Sequence, residues 1–431
     1  MRILLVTQYW HPENGVPQRR WSWLSGVLRD AGHEVFVIAP PPRSSLVKKL
    51  SFQRAKETLA LSIDNDRAER IYRSYRPRSG NSISEKMAEQ LLVAAGQIVI
   101  GRRVLRDVHP DLVVGTVPAI PTAIVAFLLA KLGRIGYVID LRDAWPDLLR
   151  QADRWNAGLG KKSVREMIAN LGPLQLVSKL TEVALNLVLR NSSAIIVTSA
   201  NLQKNLANRR SLRKCRKHPR IALVRNVFPS ENSVQKEVKN SAEQGVLSLN
   251  VLYAGTIGRA QNLLNALMAA KLAEESGVRL SLIFVGAGAS KDHLKKQATE
   301  LGVDAKFVNQ QPPGELDRFY TWADTALVHL TEWEPLERTV PSKTYELMEV
   351  GIHISAVVEG EAAALVEELK AGDVVEPGNP EQLASLWTEL ARNRNRLSTG
   401  DTGRKWVEEQ RKVVAPSILL RTIDEVGSSK A

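Results

Sequence analysis

Cysteine is nearly absent: Cys215 stands alone in 431 residues. A single thiol excludes a disulfide framework and a cysteine-based metal cluster, and it suits a reducing cytoplasm. Aromatic residues make up only 5%, and no nucleic-acid motif accompanies the basic charge, so nucleic acid is not an expected partner. Long apolar runs are missing too. Nowhere do about 18 uncharged apolar residues follow one another, and no transmembrane helix is expected. The opening Met1-Arg2-Ile3-Leu4-Leu5-Val6 lacks the form of a signal peptide, because its apolar run stops at Thr7-Gln8 and no small-residue cleavage site follows. The chain reads as cytoplasmic. Its hydrophobic content, 44%, is that of a globular protein, and its length is too great for one core, so two domains are expected.

Positive charge is abundant and lopsided. Residues 1–228 carry 37 Lys/Arg against 17 Asp/Glu, a balance of +20, whereas residues 229–404 carry 17 against 25, a balance of −8. The excess concentrates at 43–78 and at 204–220, the latter with eight basic residues and no acidic one. Such asymmetry implies that the first half meets something anionic, a membrane surface or a phosphate-bearing substrate; the plainer reading is a solvated basic face.

Short apolar strands alternate with amphipathic helices, the pattern of parallel α/β sheets. In a first domain, 1–228, strands are predicted at 2–7, 34–39, 112–115, 137–141, 194–198 and 221–224. Helices are predicted at 18–31, 84–107 and 121–132, with a long apolar helix near 173–190. Residues 43–80 are polar and poorly periodic, and read as a long insertion. A polar linker at 229–248 opens a second domain, 229–404. There strands are predicted at 249–253, 279–285, 306–308, 325–329 and 354–357. A final helix, 403–426, is broken at Pro416, which lets residues 405–431 cross back onto the first domain. The fold class is α/β: two Rossmann-like, doubly wound domains facing across a cleft, with ligands at the carboxyl ends of the strands. A dehydrogenase, a periplasmic-type binding protein, an epimerase and a glycosyltransferase all remain open at this point.

Four motifs carry chemistry. Gly15, followed by Arg19 and Arg20 where a helix begins, permits close backbone approach to an anion; its spacing is not the dinucleotide fingerprint. Asp140, Arg142, Asp143 and Asp147 follow directly on a buried strand, where charges are costly unless a ligand or an ion pair meets them. Gly255, Gly258 and Arg259 close another strand as a phosphate cradle, and Gly286 and Gly288 repeat the theme, leaving room for a ligand ring. Last, Pro341-Ser342 starts and Gly351 stops a short helix. Its amino end, with Ser342 and Lys343, can meet a pyrophosphate, and Glu346 can accept hydrogen bonds from a ribose diol.

In this order the motifs resemble glycosyltransferase family 4, a retaining group of GT-B fold, and most of all its bacterial members that build O-antigen and capsule polysaccharides from UDP-N-acetylhexosamine-type donors. The matching stretches run from Arg2–Pro12 through Leu141-Arg142-Asp143-Ala144-Trp145-Pro146 and Pro341–Gly351 to Gly360-Glu361-Ala362-Ala363. The resemblance implies a sugar transferase acting with retention on a glycan or a polyprenyl-diphosphate-linked acceptor, peripheral on the inner, anionic face of the membrane. Asp143 and Arg142 would lie in the catalytic loop. Gly15, Arg19, Gly255, Gly258, Arg259, Gly286, Gly288, Ser342, Lys343 and Glu346 would hold the donor. No cofactor and no metal are expected, since the cations meet the charge of the leaving diphosphate. Two positions depart from the family: Arg338 stands eight residues before Glu346 where a glutamate is usual, and Arg142 stands where many members have histidine. A UDP-sugar epimerase of GT-B shape and an inactive nucleotide-sugar-binding homologue are the alternatives.

Overall fold

The computed structural model describes residues 1–13, 15–42, 63–64, 69–77, 83–117, 119–145, 147–150, 173–213, 218–230, 232, 234–236, 247–312 and 314–428. Cys215 and most of the insertion at 43–80 lie outside them. The chain forms two compact units, one of Met1–Leu149, Gly172–Phe228 and Val413–Ala431, the other taking in Pro229–Lys412.

The first unit runs β1 (Arg2–Val6), α1 (Val16–Asp30), β2 (Glu34–Ala39), β3 (Ile63–Asp64), β4 (Arg70–Arg73), α2 (Ile83–Val108), β5 (Leu112–Val117) and α3 (Ile120–Gly133). It continues through β6 (Gly136–Leu141), α4 (Pro173–Asn191), β7 (Ala194–Val197), α5 (Ala200–Asn208) and β8 (Arg220–Leu223). Its sheet has the order β3-β4-β2-β1-β5-β6-β7-β8, with β3 antiparallel to β4 and the other pairs parallel. Ile3, Leu4, Leu5 and Val6 are all fully buried; an unbroken apolar strand of this kind is stable only in a parallel sheet covered on both faces. The strand order reverses between β1 and β5, the switch point where doubly wound sheets bind ligands.

The insertion expected at 43–80 is in part sheet. β4 extends the sheet beside β2, burying Ile71 and Tyr72. Two apolar residues between arginines gave too short a period to distinguish from loop. Two of the insertion's arginines, Arg73 and Arg76, are clamps. Buried Arg76 donates to the carbonyls of Gln8 (2.9 Å) and Pro41 (2.7 Å) and pairs with Glu13 and Glu89. Arg73 donates to the carbonyls of Pro40 and His11. Together they fix the segment that follows β1.

The second unit runs β9 (Ser248–Ala254), α6 (Leu264–Glu275), β10 (Arg279–Val285), α7 (Lys291–Leu301), β11 (Ala305–Val308), β12 (Thr325–His329), α8 (Ser342–Val350), β13 (His353–Val357), α9 (Glu361–Glu368), β14 (Gly372–Val375) and α10 (Pro380–Arg392). All its strands are parallel, in the order β11-β10-β9-β12-β13-β14, and its switch point falls between β9 and β12. The helix α9 and the edge strand β14, both short, had no clear period in the sequence. The chain ends in α11 (Thr402–Glu409), a π-helical turn at Gln410–Val414, and α12 (Ala415–Ser428). The break expected at Pro416 is that π turn. Pro416 itself lies in the first turn of α12, directly after the π turn, where its missing N–H interrupts the helical hydrogen-bond ladder. In the first unit α12 packs on β8, β6 and α1.

Candidate functional site

In the first unit the loop after β6 sorts its own carboxylates. Asp140, fully buried, accepts from Arg20 Nε and Nη2 and from Trp21 Nε1 (2.7 Å). Arg20, also fully buried, spends Nη1 on the Arg225 carbonyl and Asn226. Asp147 is held through both oxygens by Arg209 Nη2 at 2.7 Å. Arg20 and Arg209 are therefore structural cations, although the sequence placed the first beside a ligand and the second in a basic surface. Arg142 and Asp143 remain. Burial raises the pKa of Asp143 and lowers that of Arg142, and their mutual attraction opposes both shifts. The Arg142 carbonyl accepts from Thr198 Oγ1 at 2.8 Å. Its guanidinium keeps two buried N–H groups, Nε and Nη1, without a hydrogen-bond acceptor among the described residues. Buried donors of this kind are costly unless an acceptor arrives. Arg19 stacks its guanidinium on Phe228, 4.8 Å from the ring centre.

In the second unit the loops after β9 and β10 lie against one another. Gly255 N donates to the Val285 carbonyl (3.0 Å), Ile257 N to the Ala287 carbonyl (3.0 Å) and Ser290 N to the Ile257 carbonyl (3.1 Å). A Cβ on Gly286 would lie 1.9 Å from the Gly255 carbonyl oxygen, and one on Gly288 would lie 2.0 Å from that of Ile257. The Cβ position at each of these glycines is thus filled by backbone, so packing alone requires glycine at both. Gly15 is the opposite case. Its backbone is extended, and a Cβ there would sit 3.4 Å from Pro17 Cδ, an ordinary contact. Neither conformation nor packing requires glycine there. Gly15→Ala should therefore fold with unchanged thermal stability yet lose donor-dependent activity, while Gly288→Ala should destabilise the second unit by about 1–3 kcal/mol. Melting curves and turnover measured on both variants separate the two cases.

Arg259, half-buried, starts the 3-10 turn Arg259–Gln261 at the switch point, and this loop is tied to β12 by Thr331 N donating to the Ala260 carbonyl (2.8 Å). The last residue of β12, His329, lies buried beside it. Asn265 Nδ2 donates to its Nε2 at 3.1 Å, which places the ring's own proton on Nδ1. A polar residue at the carboxyl end of a strand next to the switch point was a legible signal that sequence reasoning passed over. Burial lowers its pKa to about 3. The unfolded chain takes up a proton near 6.5, so stability is full above that pH and is lost as pH falls from 6.5 towards 3, by about 1.4 kcal/mol per pH unit. Urea unfolding across pH 4–7 should show His329→Gln to be less acid-sensitive than the parent; an unchanged slope would show that the ring is not held neutral.

The helix α8 begins at Ser342 with Pro341 as its N-cap, and no side chain caps it; its first N–H groups face outward from the helix end. Glu346, only 9% exposed, is tightly held. Its Oε1 accepts from Tyr320 OH (2.7 Å) and Asn232 Nδ2 (2.6 Å), and its Oε2 pairs with Lys343 Nζ at 2.9 Å. Tyr320 and Asn232 lie outside the helix, and no local spacing pointed to them. Glu349, three residues on, accepts from Arg411 through both its oxygens. Arg338, the departure from the family, is ion-paired with Glu334.

Residues 236–413 match the family model described as "Glycosyl transferases group 1". Both units are Rossmann-like, the architecture of GT-B glycosyltransferases. Solved structures similar to the whole chain include a sucrose-phosphate synthase from Thermosynechococcus elongatus, 15% identical, TM-score 0.66, with all of both chains covered. Anabaena HepE in complex with UDP and glucose is 18% identical, TM-score 0.62, again with both chains fully covered. S. aureus TarM, in complex with UDP and alpha-GlcNAc-glycerol among other ligands, is 9% identical, TM-score 0.60, with 99% of each chain covered. No curated protein matches the chain in sequence.

Proposed function

We propose that this chain is a retaining glycosyltransferase that moves a sugar, of UDP-N-acetylhexosamine type, from its nucleotide to a glycan or polyprenyl-diphosphate-linked acceptor in cell-surface polysaccharide synthesis. The observation that carries the reading is α8: an uncapped amino end bearing Lys343, with the buried carboxylate of Glu346 one turn on, inside the stretch that matches the transferase family. Arg259, Lys343 and the helix end meet the charge that grows on the departing diphosphate, without a metal. Gly15, Arg19, Gly255, Gly258, Gly286, Gly288 and Ser342 complete the donor side. The bond from the anomeric carbon to the diphosphate breaks, the acceptor oxygen bonds to that carbon on the same face, and the acceptor's proton passes to the departing phosphate oxygen. Asp143 orients the acceptor hydroxyl, and Arg142 supplies its two unspent donors to substrate oxygen.

A thermal-shift screen against UDP-, GDP-, ADP- and dTDP-sugars tests this, because bound donor stabilises by mass action, by about 2.7 kcal/mol at a hundred times Kd. A UDP-sugar should raise the melting temperature, and silence from every donor would sink the proposal. Donor consumed without acceptor would mean an epimerase. Arg338 where a glutamate is usual, and paired with Glu334, favours one second reading, a homologue that binds donor and does not turn it over.

A further inference from the structure

The outer surface of the first unit carries an apolar face that the reaction does not use. Its three helices lie side by side, with α2 packed on α3 and α3 on α4. On α4 the buried side is Leu185, Val188 and Leu189, yet the opposite side is apolar too. Leu180, Val183 and Leu187 are 61%, 66% and 50% exposed, at the i, i+3, i+7 spacing of one stripe. On α2 Leu91, Leu92 and Val99 are more than half exposed, and on α3 Leu132 is as well. A helix with a second apolar stripe opposite its buried side gains by covering both, and clustered exposed apolar side chains mark an interaction site. Nine of the thirteen large exposed hydrophobics of the described residues lie on these three helices.

The charge around the face indicates what covers it. Lys179 and Arg190 bracket the α4 stripe. On α2 the exposed side turns from apolar to basic at Arg102, Arg103 and Arg106, and α3 ends in Lys131 with Arg134 as its cap. The three helices carry seven Lys/Arg against four Asp/Glu, and one of the four, Glu89, is buried against Arg76. A second copy of the chain would bring like basic rims together across a symmetric interface, which like-charge repulsion disfavours. An anionic bilayer supplies both an apolar layer for the stripe and negative headgroups for the rim. No described helix is long and apolar enough to cross a membrane, so attachment is to one leaflet.

We infer that the α2–α3–α4 face is the surface by which this protein docks on an anionic membrane. The inference deepens the membrane partner implied by a lipid-linked acceptor and rests on that part of the proposed function. The test is flotation of the full chain, without donor or acceptor, on vesicles of phosphatidylglycerol mixed with phosphatidylcholine, and on pure phosphatidylcholine. The parent should bind the anionic vesicles and release in high salt. Leu180→Glu, Val183→Glu and Leu187→Glu together should lower partitioning about 100-fold. Lys179→Glu with Arg190→Glu should lower it about tenfold and flatten the salt dependence. All five positions are exposed, so melting curves should not change. Failure of the parent to bind anionic vesicles, or equal binding by the triple variant, overturns the inference. So does a dimer of the parent that the triple variant turns into monomers. Vesicle binding is read without any sugar chemistry, so a silent donor screen would fell the transferase reading and leave this result standing.

Discussion

Asp140→Ala should cost the first unit about 3–5 kcal/mol. The reason is what the substitution leaves behind. Arg20 is fully buried and directs Nε and Nη2 at Asp140, while Nη1 is committed to the Arg225 carbonyl and Asn226. Without the carboxylate a guanidinium remains in the core with no counter-charge, and Trp21 Nε1 loses its acceptor as well. Asp140→Asn should fall between, because it keeps an acceptor and removes the charge. Replacing both partners, Arg20→Met with Asp140→Leu, should restore much of the loss, since a buried ion pair is hard to break singly and far easier to replace whole. Urea unfolding of the three variants forms the cycle. A loss under about 1 kcal/mol for Asp140→Ala would mean that water reaches the pair and that the loop after β6 is not anchored as described.

That pair also shows where the sequence misled. Period and punctuation were enough for most strands and helices, because a parallel sheet writes its buried strands as continuous apolar runs: Ile3 to Val6, or Leu282 to Val285. The charged residues were harder. Asp140, Asp143 and Asp147 look equivalent in the chain, yet only long-range partners distinguish them: Arg20 comes from 120 residues away and Arg209 from 62. Likewise Gly15 and Gly288 both read as ligand-side glycines, and only the neighbouring loop separates them, since the carbonyl of Ile257 fills the space beside one and nothing comparable stands beside the other. Lys343 and Glu346 were legible because three residues on a helix fix their adjacency. Tyr320 and Asn232 were not, because each reaches Glu346 through the tertiary fold.

Those contacts set the terms for the functional test with the largest expected effect. Arg259→Ala should lower kcat about 10²–10³-fold, the loss usual when a donor aimed at developing charge is removed, because the diphosphate gains its negative charge as the glycosidic bond breaks. Glu346→Ala should act on KM instead. A ribose diol is remote from the reacting carbon and is bound alike in ground and transition states, so its loss is one of uniform binding. Two charge-assisted hydrogen bonds of about 1.5–3 kcal/mol each, partly offset by competition, place the effect at roughly 10–100-fold. The competition arises because Oε1 already accepts from Tyr320 and Asn232, and Oε2 from Lys343; a diol gains its place by displacing one of them. Glu346→Gln controls for folding, since it keeps an oxygen for Tyr320 and Asn232 while removing the ion pair with Lys343. Steady-state kinetics on a donor that shifts the melting temperature decide the matter. Unchanged turnover in both alanine variants would move the donor site away from α8, whereas a kcat loss for Arg259 alongside a KM loss for Glu346 would assign the diphosphate to the first and the ribose to the second.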